Sequence, residues 1–82
     1  MNPVRPIWYY TYVLQSKTKG NFYTGTTKNL KQRLKQHNNG SVQLIYFEGC
    51  LNKDDAYRRE RYLKSGMGKR YLKNRLRGGL TG

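Results

Sequence analysis

Residues 7–15, IWYYTYVLQ, constrain the fold of this chain more than any other stretch. β-Branched and aromatic side chains dominate the run, which favours an extended strand. Alternation puts Trp8, Tyr10, Tyr12 and Leu14 on one face and Ile7, Tyr9, Thr11 and Val13 on the other. Both faces are largely apolar, so the strand belongs in the middle of a sheet covered on both sides. The polar turn SKTKGN follows, with Gly20 available for positive φ, and a second aromatic run starts at Phe22 and extends to Thr26. So short a link cannot make a parallel crossover, and the two runs must form an antiparallel hairpin.

The rest of the chain alternates between periods. Asn29 is placed to cap a helix over residues 30–38 that turns Leu30 and Leu34 to the core and sets Arg33 and His37 one turn apart on a neighbouring stripe. Asn39 and Gly40 end it, with Gly40 suited to a left-handed cap. Residues 42–47 alternate as a third strand, and residues 49–53 read as a loop. Asn52 or Asp54 caps a second helix reaching about residue 65, with Ala56, Tyr57, Leu63 and Tyr62 as its apolar positions. Gly66 and Gly68 read as its break. A third helix over residues 69–77 buries Tyr71, Leu72 and Leu76. The reading is an α+β domain over residues 7–77: a central three-stranded antiparallel sheet flanked by three helices. Residues 1–6 form a flexible lead-in and 78–82 a flexible tail.

In 82 residues there is room for one small core, burying about 60–65% of the surface an unfolded chain of this size exposes. Seventeen Lys and Arg against four Asp and Glu give a net charge of +13, far more than solubility requires. A charge of that size implies an anionic partner, and nucleic acid is the commonest. Eleven aromatic residues suit base stacking beside phosphate contacts. Only Glu48, Asp54, Asp55 and Glu60 are acidic, so a metal site built on several clustered carboxylates is hard to assemble, and one Cys with one His cannot make a zinc site. No stretch approaches the ~18 apolar residues of a membrane span. The lone Cys50 implies a reduced, cytoplasmic setting.

The hairpin and first helix are expected to gather Tyr12, Tyr23, Arg33 and His37 on one surface. Glu60 falls on or beside the buried stripe of an otherwise basic helix, which needs a reason; pairing with a neighbouring arginine would be one. In this arrangement the chain resembles the GIY-YIG nucleases, a family that includes the 3′-incising domain of the bacterial excinuclease. Tyr10-Thr11-Tyr12 matches the first motif and Tyr23-Thr24-Gly25 the second. The helix NLKQRLKQH resembles the segment carrying the family's Arg and His, and DDAYRRERYLKSGMGKRYLKNRL its Ala-x-x-x-Glu-x-x-Leu-Lys segment. The match spans roughly residues 8–76 and is nearest to small single-domain, excinuclease-like members. Tyr10 stands for the first glycine, threonines replace both isoleucines, and Thr26 occupies the place of a family lysine that Lys28 adjoins.

The resemblance implies a divalent-metal-dependent DNA endonuclease in which Tyr12 or Tyr23 takes a proton from water. A free tyrosine has a pKa of about 10, and nearby positive charge favours its phenolate. His37 would receive or hold that proton, Arg33 would fork onto the scissile phosphate, and Glu60 would hold one Mg²⁺ or Mn²⁺. Asn74 is a further candidate from the last helix. Lys28, Arg33, Lys64, Lys69 and Arg70 are the expected nucleic-acid contacts, with Lys17, Lys19, Lys73, Arg75 and Arg77 also on the phosphate-contacting surface. The implied partner is branched or damaged DNA, the implied setting the bacterial nucleoid, and the assembly a monomer or weak homodimer. The rival reading is a DNA- or RNA-binding module without catalysis.

Overall fold

A computed structural model describes residues 6–37 and 40–80. The elements run β1 (Tyr9–Ser16), β2 (Phe22–Thr27), α1 (Leu30–Gln36), β3 (Val42–Cys50), α2 (Lys53–Lys64) and α3 (Gly66–Arg75). The strands form one antiparallel sheet in the order β2-β1-β3. The fold is therefore α+β, with β1 central as its two apolar faces require, and Thr11 to Ser16 are all buried. Gly20 turns the hairpin at φ 78°.

One face of β1 carries the core. Val13, Leu63 and Leu72 are completely buried, with Phe22, Ile45, Tyr46, Tyr71 and Leu76 packed around them. Fully burying such side chains contributes about 1.5–3 kcal/mol each. A bulge opposite Val13 and Leu14 leaves Ile45 as an extra residue on β3, and Ile45 and Tyr46 both reach this core. Ala56 and Leu63 are the buried residues of α2, as its periodicity implies. Tyr57 and Tyr62, expected beside them, are exposed, and Lys53 and Arg59 lie over their rings at 5.9 and 5.1 Å.

Several boundaries differ from the sequence reading. β3 continues through Glu48, Gly49 and Cys50, because each finds a partner on β1. Asn52, rather than Asp54, caps α2, its side chain accepting the Asp55 N–H at 3.0 Å. The α2–α3 break falls at Ser65, which ends one helix and caps the next by accepting the Gly68 N–H at 3.1 Å. Gly66 and Gly68 lie inside α3. Gly68 is needed for space: a Cβ there would run into the backbone of Tyr62 and Leu63.

Asn29 caps α1 as expected, accepting the Gln32 N–H at 3.0 Å. Leu30 and Leu34 do not join the core. The helix has no buried residue, and its leucines line open hollows with Leu44 on the other face of the sheet. α1 closes at His37, whose N–H reaches the Leu34 carbonyl at 3.2 Å. Gly40 has the expected positive φ, 81°, while the Asn38 and Asn39 part of the predicted helix end lies outside the described residues. So do most of the predicted lead-in and the last two residues of the predicted tail.

Candidate active site

Three residues in one row across the sheet dock α2. Thr26 on β2 pairs with Thr11 on β1, which pairs with Glu48 on β3. Each meets the helix above it. The Thr26 hydroxyl donates to Glu60 Oε1 at 2.6 Å, the Thr11 hydroxyl donates to the Ala56 carbonyl at 3.0 Å, and Arg59 Nε donates to Glu48 Oε1 at 2.7 Å. The spacing of Ala56 and Glu60, one helical turn, sets both over the sheet.

Glu60 is therefore held in place. Its second oxygen accepts from Lys64 Nζ at 2.9 Å, so the ion pair comes from the lysine one turn on, while Arg59 is taken by Glu48. Burial pushes the Glu60 carboxyl up. The hydrogen bonds from Thr26 and Lys64 and the charges of Lys64 and Arg61 outweigh that and leave it below the ordinary carboxylate value. Glu60 is thus an ionised, oriented oxygen donor at neutral pH. Among the described residues no three His, Cys, Asp or Glu side chains gather as a metal site. The donor set fits one hard divalent cation held by a single carboxylate, with water and phosphate completing the shell.

Thr26 also lines a hollow of about 400 Å³ with Arg33, Lys28 and Lys53. This joins the Glu60 side of the sheet to Arg33 at the β2 end of the molecule. Sequence reasoning noted Thr26 only as the place of a missing lysine. Lys53 and Tyr57 of that hollow carry no local signal, because α2 brings them there from far along the chain.

The tyrosines stand differently. Tyr12 is 5% exposed and lies against Gly25, its cross-strand partner; a Cβ at Gly25 would meet the Tyr12 hydroxyl. The glycine of the second motif thus makes room for the phenol of the first. Tyr12 and Glu60 meet β2 at successive residues, Gly25 and Thr26, which project to opposite faces. Tyr23 pairs with Leu14, is 50% exposed, and lines a hollow with Lys69 and Lys73. His37 is exposed and opens into a different, apolar hollow with Leu14, Leu34 and Val42, apart from Arg33. Arg70 and Asn74 are exposed on α3. Tyr12 and Glu60 thus meet β2, Tyr23 lies on it and the Arg33 hollow adjoins it, while His37, Arg70 and Asn74 lie elsewhere, and no one pocket holds them all.

The family model of the GIY-YIG catalytic domain matches residues 8–75. The chain belongs to the GIY-YIG family, whose domain is of nuclease type. It is similar to small UPF0213 proteins: 43% identical to one from Clostridium perfringens over 67% of this chain and 69% of that one, and 38% identical to one from Pediococcus acidilactici over 80% and 82%. The solution NMR structure of a UPF0213 protein from Bacillus halodurans superposes with a TM-score of 0.60 at 30% identity, covering 88% of this chain and 87% of that chain. Among the described residues no helix is long and apolar enough to cross a membrane.

Proposed function

We propose that the chain is a DNA endonuclease hydrolysing phosphodiester bonds with one Mg²⁺ or Mn²⁺ held by Glu60. The observation that carries this reading is the Thr26–Glu60 hydrogen bond, which holds the Glu60 carboxylate against a residue of the hollow that Arg33 lines. A pre-positioned donor costs little reorganisation when charge develops. Arg33 offers a planar fork to the phosphate oxygens, with Lys28 and Lys53 adding positive charge around it. The metal, when bound, supplies Lewis-acid polarisation of the phosphate. The attacking water gives its proton to the phenolate of Tyr12 or Tyr23 as the water oxygen bonds to phosphorus; the P–O3′ bond breaks and O3′ takes a proton from solvent. The products are a 5′-phosphate and a 3′-hydroxyl. Tyr23, with its exposed ring, reaches solvent directly. Tyr12 acts from beneath Gly25 at the same strand.

The second reading, a nucleic-acid-binding module without catalysis, draws on one observation: Tyr12 and Glu60 approach β2 from opposite faces. A nicking assay on plasmid and branched DNA across Mg²⁺ and Mn²⁺ concentrations separates the two. The nuclease reading expects metal-dependent nicking, lowered by about 100-fold or more in folded Arg33→Ala and Glu60→Gln proteins, on the order of losing one transition-state contact. Salt-sensitive binding with no cleavage in either metal leaves only the binding module. Tyr12→Phe and Tyr23→Phe, assayed separately, assign the base.

A further inference from the structure

Two lysines of the β1–β2 turn, Lys17 and Lys19, face Lys73 of α3 across a hollow of about 370 Å³. That hollow continues through Gly20, Phe22 and Lys73 into a second of about 410 Å³, walled by Tyr23 and Lys69. Together they make one trough between the hairpin turn and α3. No acidic side chain lines it, and none of the three ion pairs among the described residues involves its lysines. The four acidic residues of the chain lie on β3 and α2. Four like charges lining a concave surface repel one another, and no carboxylate or ion pair among the described residues lies with them to offset that cost. An anion is the missing partner.

The trough shares no lining residue with the Arg33 hollow, yet both lie along β2: Phe22 and Tyr23 at one end, Thr26 and Thr27 at the other. Four residue steps along the strand, from Tyr23 to Thr27, span about 13 Å at ~3.3 Å each. A duplex rises about 3.4 Å per base pair, so along a duplex lying parallel to β2 the two hollows are on the order of four base pairs apart. We propose that the trough binds the phosphodiester backbone of DNA flanking the bond held at the Arg33 hollow. The protein then grips its substrate at two separate places on one strand. This rests on the DNA reading above and assigns to Lys17, Lys19, Lys69 and Lys73 a contact distinct from the reacting phosphate. The contact is to backbone, so it is blind to base sequence.

The test is binding in EDTA, where cleavage cannot interfere, to a DNA duplex of about 20 base pairs, followed against salt concentration. Each lost phosphate contact lowers the slope of log K against log salt by about 0.9. The Lys69→Gln/Lys73→Gln protein is expected to lose about 1.8 in slope, and equally on two duplexes of unrelated sequence. The charge-matched control Arg58→Gln/Arg61→Gln removes two cations that line neither hollow and is expected to keep the parent slope. Circular dichroism confirms that both fold; if the α3 double variant does not, Lys17→Gln/Lys19→Gln in the turn replaces it. Equal losses in both doubles mean diffuse charge and overturn the trough, as does an unchanged slope in the lysine double. The nuclease reading stands or falls separately, on metal-dependent nicking by the unaltered chain.

Discussion

The two faces of the sheet are built in opposite ways. Under α2 and α3, Val13, Leu63 and Leu72 are sealed, and the row Thr26, Thr11 and Glu48 ties α2 to all three strands. Under α1, Leu30 and Leu34 are half-buried, the helix has no sealed residue, and hollows of about 370 and 540 Å³ open beside it. The contrast teaches that stability and site are unequally shared. The carboxylate sits on the rigid face, where three polar contacts hold its helix. Arg33 and His37 ride on a seven-residue helix capped by Asn29 and packed loosely. Segments with few sealed contacts open at low free energy, so α1 is expected to open more readily than α2 and α3.

The widest separation between the faces is expected in truncation. Leu63→Ala should cost about 3 kcal/mol in chemical denaturation and Leu34→Ala about 1 kcal/mol. Equal costs would dissolve the distinction. Next comes the polar row. Thr26→Val keeps the shape and removes the donor to Glu60, with an expected loss of about 1 kcal/mol at pH 7. The folded protein holds Glu60 below its ordinary value, so this contribution is full above the ordinary carboxylate pKa of about 4.3 and fades as pH falls through the depressed folded value. Parent and variant stabilities should therefore converge in acid; a gap that persists at about pH 2 would mean that Thr26 acts through packing alone.

The smallest effect is at the other end of the same face. Burial, the Tyr71 hydroxyl at 3.2 Å and the Glu48 charge push Tyr46 up to about 12, against a partial lowering by Arg59. Its neutral form is favoured by folding, so the stability it contributes is intact below pH 10 and is lost as pH rises through 12. Ultraviolet absorbance of the phenolate should show one late-titrating tyrosine that Tyr46→Phe removes. A parent titration matching that of Tyr46→Phe would show no such tyrosine in the folded protein.

Much of this was legible from one end of the chain to the other. The hairpin, the centrality of β1, the Asn29 cap and the buried Ala56, Leu63 and Leu72 follow from local periodicity and short connections. The roles of Glu48 to Cys50, Gly68 and Thr26 did not, because each depends on a partner outside its own element: β1 for the strand end, the α2 backbone for Gly68, and Glu60 for Thr26. Tyr57 and Tyr62 read as apolar helix positions, and only the structure shows that they lie exposed with Lys53 and Arg59 over their rings.

By itself the amino-acid order determined the elements, their pairing sense, the cationic character and the family. Those follow from backbone sterics, side-chain period and charge, which act over a few residues or over the whole composition. Only the tertiary structure decided that Tyr12 and Glu60 meet β2 from opposite faces, that Arg33 and His37 open into different hollows, and that Lys69 and Lys73 stand beside Tyr23 with Lys17 and Lys19 in the adjoining hollow. Strand register and helix docking set these relations: a slip of one residue in register would reverse which face each strand side chain occupies, and a slip of one residue in a helix would turn its side chains by about 100°.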